Sequence, residues 1–164
     1  MPRYDSPITT RVLDNATFLP HVVGLIAEGH TVTLPLRGRS MRPFLEDGRD
    51  KALLSAPTDI AVGDAVLAEI APGFYVLHRV VALTPTEVRL LGDGNLTEEH
   101  CRPEDIRAKA IGFFRKGRTT ADYTDGLKWR VYSALWMRLR PLRRYLLFLA
   151  HPHVPQRLKK LLSI

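Results

Sequence analysis

The chain has 164 residues, 45% of them hydrophobic, enough for one substantial core and too few for two. Its formal net charge of +7 is unevenly placed: residues 1–114 carry 12 Lys/Arg against 15 Asp/Glu, and residues 115–164 carry 12 against 2. The lone cysteine, Cys101, excludes an internal disulfide framework, offers no metal-ligand pair and points to a reducing compartment. No metal and no cofactor are expected. Met1–Pro7 is polar and lacks the apolar run of a secretory leader. The longest uncharged apolar runs, Val131–Met137 and Tyr145–Ala150, fall far short of the roughly 20 residues that cross a bilayer.

In chain order, the N-terminal segment (residues 1–30) places Val12, Ala16, Leu19, Val22, Val23 and Ile26 at near-helical spacing. A helix is predicted over 12–28, with Asp14 or Asn15 as cap and Gly29 as stop. One helix before the first strand is too little for a helix-turn-helix, so nucleic-acid binding is not expected there. Thr31–Leu34 alternates as a short strand, and the backbone then turns through Leu36-Arg37-Gly38-Arg39-Ser40-Met41-Arg42-Pro43-Phe44. Gly38 permits a conformation closed to other residues and Pro43 prevents a helix from continuing, so Ser40 is held on a constrained bend. Taken alone, this is ordinary turn chemistry.

Beyond the turn Leu45–Asp50, strands are predicted at Lys51–Leu54, Ala65–Ile70, Phe74–Leu83, Glu87–Leu91 and Ile106–Phe114. The connections are Val62–Asp64, Pro72-Gly73, Thr84–Thr86 and Gly92-Asp93-Gly94-Asn95. In the longest strand, a period of two sets Phe74, Val76, His78 and Val80 on one face and Tyr75, Leu77, Arg79 and Val81 on the other. About seven short strands with frequent turns predict a mainly β domain over residues 31–118, an antiparallel sheet that is coiled and partly closed.

The last segment, residues 119–164, carries Leu127, Val131, Leu135, Leu139, Leu142, Leu146 and Leu149 at intervals of three or four, with Arg130, Arg138, Arg143 and Arg144 among them. This is a basic amphipathic helix, bent or restarted at Pro141. Two readings stand side by side. Trp129, Trp136 and Tyr145 suit a water–lipid boundary, where residues 127–150 would meet an anionic membrane surface or an acidic protein. Alternatively, the leucines pack on the β-domain and the arginines face water. No recognisable nucleic-acid motif is present.

Gly38-Arg39-Ser40-Met41-Arg42-Pro43, Leu77-His78-Arg79-Val80-Val81 and Gly92-Asp93-Gly94-Asn95 stand in that order. Together they resemble the boxes of the signal peptidase I and LexA-like serine peptidase clan. In that clan the serine box reads G-x-S-M-x-P or S-G-S-M-x-P, the general base precedes Arg-Val, and a G-D-N turn follows. The match spans about Val32 to Arg118. A lysine is the base in the bacterial branch, and the histidine here resembles the archaeal and endoplasmic-reticulum branch. The resemblance implies a signal-peptidase-like fold and a serine endopeptidase that prefers small residues next to the cut. It differs from classical signal peptidases in lacking N-terminal membrane spans.

The chemistry follows from the residue types. A serine hydroxyl keeps its proton at neutral pH and needs a base within hydrogen-bond reach, for which His78 is the candidate. Apolar neighbours disfavour imidazolium and keep the ring able to accept a proton. The orienting acid is left open: Asp93 matches the G-D-N aspartate, and Glu98 and Glu99 stand near where the histidine branch places another acid. A solvated turn is the expected role of the two glutamates. The Ser40 backbone N–H is the natural oxyanion donor, and Gly38 occupies the position where many signal peptidases carry a hydroxyl. Met41 and Pro43 would flank the substrate. The function expected is thus a Ser40–His78 endopeptidase in the cytoplasm, peripheral to the inner membrane face. The alternative is a non-catalytic module on the same fold that binds a peptide or protein, with Arg39 and Arg42 holding an acidic segment. Self-cleavage, as in the repressors, ranks third.

Overall fold

The structure is a computed structural model that describes residues 15–150. The expected helix start at Val12, the Met1–Pro7 stretch and the tail beyond Ala150 lie outside the described residues. In order, the elements are α1 (Asn15–Ala27), β1 (Val32–Pro35), β2 (Lys51–Ser55), β3 (Ala65–Ala71), β4 (Phe74–Leu83), β5 (Val88–Leu91), β6 (Glu99–Cys101), β7 (Ile106–Phe114), β8 (Asp122–Tyr123), α2 (Leu127–Arg138) and α3 (Arg143–Ala150). β6 and β8 were not predicted, because strands of three and two residues are too short to show alternation.

All pairings are antiparallel, and the strands form one sheet in the order β1-β2-β7-β3-β4-β5-β6. β7 is central because its two edges serve different partners. Lys109–Phe114 pairs with β2, Ile106–Lys109 pairs with β3, and β8 extends the β3 side at Gly112 and Phe113. The register slips in β2–β7, β3–β4, β3–β7 and β4–β5. Each irregularity bends the strand and increases its twist, and the sheet curls into a half-barrel.

The curl gives the sheet two buried faces, and β3 divides its side chains between them. Ala65 and Leu67 enter a first core with Leu19, Val22 and Ile26 of α1, while Val66 and Ala68 enter a second. The buried members of the second core, among them Val80, Val88, Leu90 and Ile106, all come from strands, so it is the interior of the curl.

α2 closes the first core with aromatic rings. Trp129 and Trp136 are buried, and the Trp129 ring lies 4.8 Å from Phe113 and 4.9 Å from Phe44. Tyr132 stacks on Phe44 at 4.4 Å. The leucine-side positions Leu127, Val131 and Leu135 are exposed. This corrects both readings of the tail in their choice of face: Leu127, Val131 and Leu135 do not pack on the sheet, Arg143 is buried against the Trp136 ring and not in water, and the two tryptophans do not stand at a lipid boundary. The physical reason is beneath the rings. The Arg79 guanidinium lies 4.7 Å from the Trp129 ring and 5.5 Å from that of Tyr132, and an aromatic face attracts a buried cation where an aliphatic side chain does not.

The contrast is measurable. Trp129→Ala should lower stability by about 3–5 kcal/mol in urea unfolding, whereas Leu127→Ala should stay within about 0.5 kcal/mol of the parent.

Candidate active site

Ser40 sits on the loop between β1 and β2, and the loop is fixed from its base upward. Leu36 N–H donates to the Asp50 carbonyl and Gly48 N–H to that of Leu36, each at 3.0 Å. The buried Asp50 carboxylate accepts from Glu46 N–H and Lys116 N–H, each at 2.9 Å, and from the Arg49 guanidinium. Burial pushes the Asp50 carboxyl up, and these bonds more than reverse it, leaving it below its ordinary value. Gly38 takes φ 89°, which favours glycine, and its N–H donates to Asp47 Oδ1 at 3.0 Å. That amide is therefore committed within the loop.

Past the serine, Met41, Phe44 and Leu45 are buried in the first core, while Pro43 is exposed behind a cis Arg42–Pro43 bond. Met41 therefore lies in the protein's own packing and also lines the cleft described below. Arg42 pairs with Glu46, and Arg115 Nε donates to the Phe44 carbonyl at 3.0 Å.

The Gly92–Asn95 turn holds the other side of this loop. Gly94 N–H donates to the Ser40 carbonyl at 2.7 Å. A Cβ at Gly92 would stand 2.5 Å from the Ser40 carbonyl oxygen, and one at Gly94 would stand 2.7 Å from that of Arg39. Both positions therefore exclude a side chain by close approach of two backbones.

Asp93, between the two glycines, turns into the first core. It binds Arg79 bidentately, Nε to Oδ1 and a terminal nitrogen to Oδ2, each at 2.8 Å, with both side chains fully buried. The Tyr132 hydroxyl donates to Asp93 Oδ2 at 2.9 Å. Arg79 also donates to the Gly63 carbonyl at 2.7 Å and to Ser133 Oγ. Burial works against the Arg79 charge, but its bonds to Asp93 prevail and hold its pKa above the usual value. Burial and the nearby Asp93 charge push the Tyr132 phenol upward, keeping it a donor.

His78 points to the other face of β4, at 3% exposure. Its Nδ1 lies 2.6 Å from Glu99 Oε2. The register explains the meeting: Val80 pairs with Leu90, and Leu90 with Glu99, so Glu99 shares the sheet face of Val80 and His78. Burial drives the imidazole pKa down, and the charge and hydrogen bond of Glu99, with the more distant Asp93, only partly offset it. Burial thus favours the neutral ring, and a neutral ring facing the Glu99 carboxylate carries its proton on Nδ1 and its lone pair on Nε2.

The three acids thus have distinct positions. Glu99, expected in a solvated turn, holds the histidine. Asp93 commits its oxygens to Arg79 and Tyr132, supporting the site from behind without touching the imidazole. Glu98 is tied to Arg89 and Arg140. A signal for Glu99 existed in the β5–β6 pairing but was hidden by the shortness of β6. Arg79 carried a plainer one, since a lone cation in an apolar strand requires a buried acid.

Ser40 and His78 line one cleft of about 120 Å³, together with Leu36, Gly38, Met41 and Leu77. Among the described residues no hydrogen bond joins the serine hydroxyl to the imidazole; with Nδ1 engaged, Nε2 is the nitrogen left for it. Cys101 is no rival nucleophile, because burial pushes its thiol up to about 11. Comparison of the chain with protein-family models, with curated proteins and with solved structures gives no match.

Two results are expected in urea unfolding. Asp93→Leu, which strands the Arg79 charge, should cost about 3–5 kcal/mol, and adding Arg79→Met should recover part of it. Gly94→Ala should displace the serine loop and destabilise by about 1–3 kcal/mol.

Proposed function

We propose that the protein is a serine endopeptidase of the signal-peptidase-like kind, with Ser40 as nucleophile, His78 as general base and Glu99 as the residue that positions the imidazole. The observation that carries this reading is one shared cleft: Ser40 and His78 line it together, and the histidine's far nitrogen is held by a carboxylate. The second contact is what a base needs from an orienting group, and the shared cleft puts the serine and the free imidazole nitrogen at one opening, where the reading requires them to meet.

The Ser40 hydroxyl would attack the scissile carbonyl while His78 Nε2 takes its proton. His78 would then pass that proton to the leaving amine. Water, activated by the same nitrogen, would hydrolyse the acyl-enzyme and restore both groups. The Ser40 backbone N–H is the oxyanion donor this reading uses.

Substrate placement finds support in the sheet. β4 pairs with β3 over Phe74–Arg79, but its pairing with β5 begins only at Arg79. The other edge of residues 74–78 has no strand partner among the described residues, and an extended peptide added there would gain main-chain hydrogen bonds next to Ser40. The small volume of the cleft, where Leu36, Met41, Leu45 and Leu77 stand alongside Arg37 and Glu46, suits a small side chain beside the cut.

The same open edge also suits a non-catalytic peptide-binding module, and a serine-directed acylating reagent separates the two. Labelling of Ser40 that is lost in His78→Ala supports catalysis, and an unlabelled Ser40 refutes it. On candidate peptides, Ser40→Ala and His78→Ala should each remove cleavage; unchanged cleavage in both would refute the dyad.

The pH profile tests Glu99. Because the neutral imidazole is the active form and burial lowers its pKa, kcat/KM should rise with pH through a midpoint below the ordinary histidine value of 6.5. Glu99→Gln removes a charge that raises that pKa. The midpoint should move lower still while kcat falls by on the order of 10²–10⁴.

A further inference from the structure

The exposed side of the C-terminal helices is the largest feature that the catalytic reading leaves unused. Leu127, Val131 and Leu135 recur every fourth residue along α2, and Leu142, just before α3, is followed at intervals of three by Tyr145 and Phe148 within it. All six are between 52 and 77% exposed. Lys128, Arg130, Arg138 and Arg144, also exposed, stand beside them. From Gly126 to Ile164 the sequence contains no Asp or Glu. The tryptophans of α2 already face the domain, so this second apolar row is not required for folding.

We propose that this face docks on an anionic lipid bilayer, lying in the interface plane with its aliphatic and aromatic side chains inserted and its basic residues against the headgroups. The charge pattern selects that occupant. A row of large apolar side chains flanked from Arg130 onward by cations alone, with Lys128 paired to Asp122 at its start, matches a surface with a negative outer layer and a hydrocarbon interior. A second copy of this face would bring like charges together. The proposal is independent of the chemistry at Ser40.

The test uses the full chain in flotation assays with vesicles of phosphatidylcholine alone and with 30% phosphatidylglycerol. Binding should appear with the anionic vesicles and weaken in high salt. Replacing Arg130 and Arg138 with Gln should weaken it by about fivefold per residue removed. The Val131→Ser/Leu135→Ser variant should weaken it at least tenfold. Because both side chains are exposed, that variant should unfold at the parent's urea midpoint. Equal binding to neutral vesicles, or no binding to either, would overturn the proposal. So would a Val131→Ser/Leu135→Ser variant that binds as the parent does, or one that dissolves a dimer seen by sedimentation.

Discussion

The arrangement of the molecule depends on one buried ion pair, Arg79–Asp93. Removing two charges from water is costly, and the Coulombic attraction offsets that cost only with good geometry and full hydrogen bonding. Here the pair is bidentate, Tyr132 donates to the acid, Gly63 accepts from the base, and the Trp129 ring lies over the guanidinium. These partners come from four places: β4, the turn after β5, the turn before β3, and α2. A single satisfied cluster therefore fixes the strand that bears the histidine, the turn that cradles the serine loop, and the helix behind both.

Strand alternation keeps the candidate base separate from this support. His78 and Arg79 are chain neighbours, yet they point to opposite faces of β4 and meet different acids. Arg79 is held charged by a fully buried partner. His78 is held neutral because burial outweighs the contribution of the partly exposed Glu99. Exchanging the two environments would give a protonated histidine and a site without a base. The half-barrel curl makes this sorting useful, because it brings the His78 face and the serine loop to the same opening.

Much of this was legible in the sequence because it rests on local rules. The alternation of Phe74–Leu83, the turn chemistry around Gly38 and Gly92–Asn95, and the spacing of Leu19, Val22 and Ile26 identified strands, loops and a buried helix face. Short strands were not legible, since β6 and β8 owe their form to neighbours in the sheet. Nor was the role of Glu99, which depends on a register that no local pattern encodes. The helix face went astray for a related reason. The leucine spacing in α2 is real, but what α2 buries was decided by a cation on a strand some fifty residues earlier, whose demand for aromatic rings and a hydroxyl outweighed the aliphatic row.

The reach of α2 into the ion-pair cluster bears on the order in which the molecule is completed at the ribosome. The sheet has all of its long strands once Phe114 has emerged, but Trp129, Tyr132 and Ser133 follow later. Until they arrive, Arg79 and Asp93 lie under an unfinished roof, and the turn that steadies Ser40 lacks half of its backing. Before that point the long strands are present without the side chains that complete the cluster. α2 thus supplies the final partners of the cluster behind the candidate site.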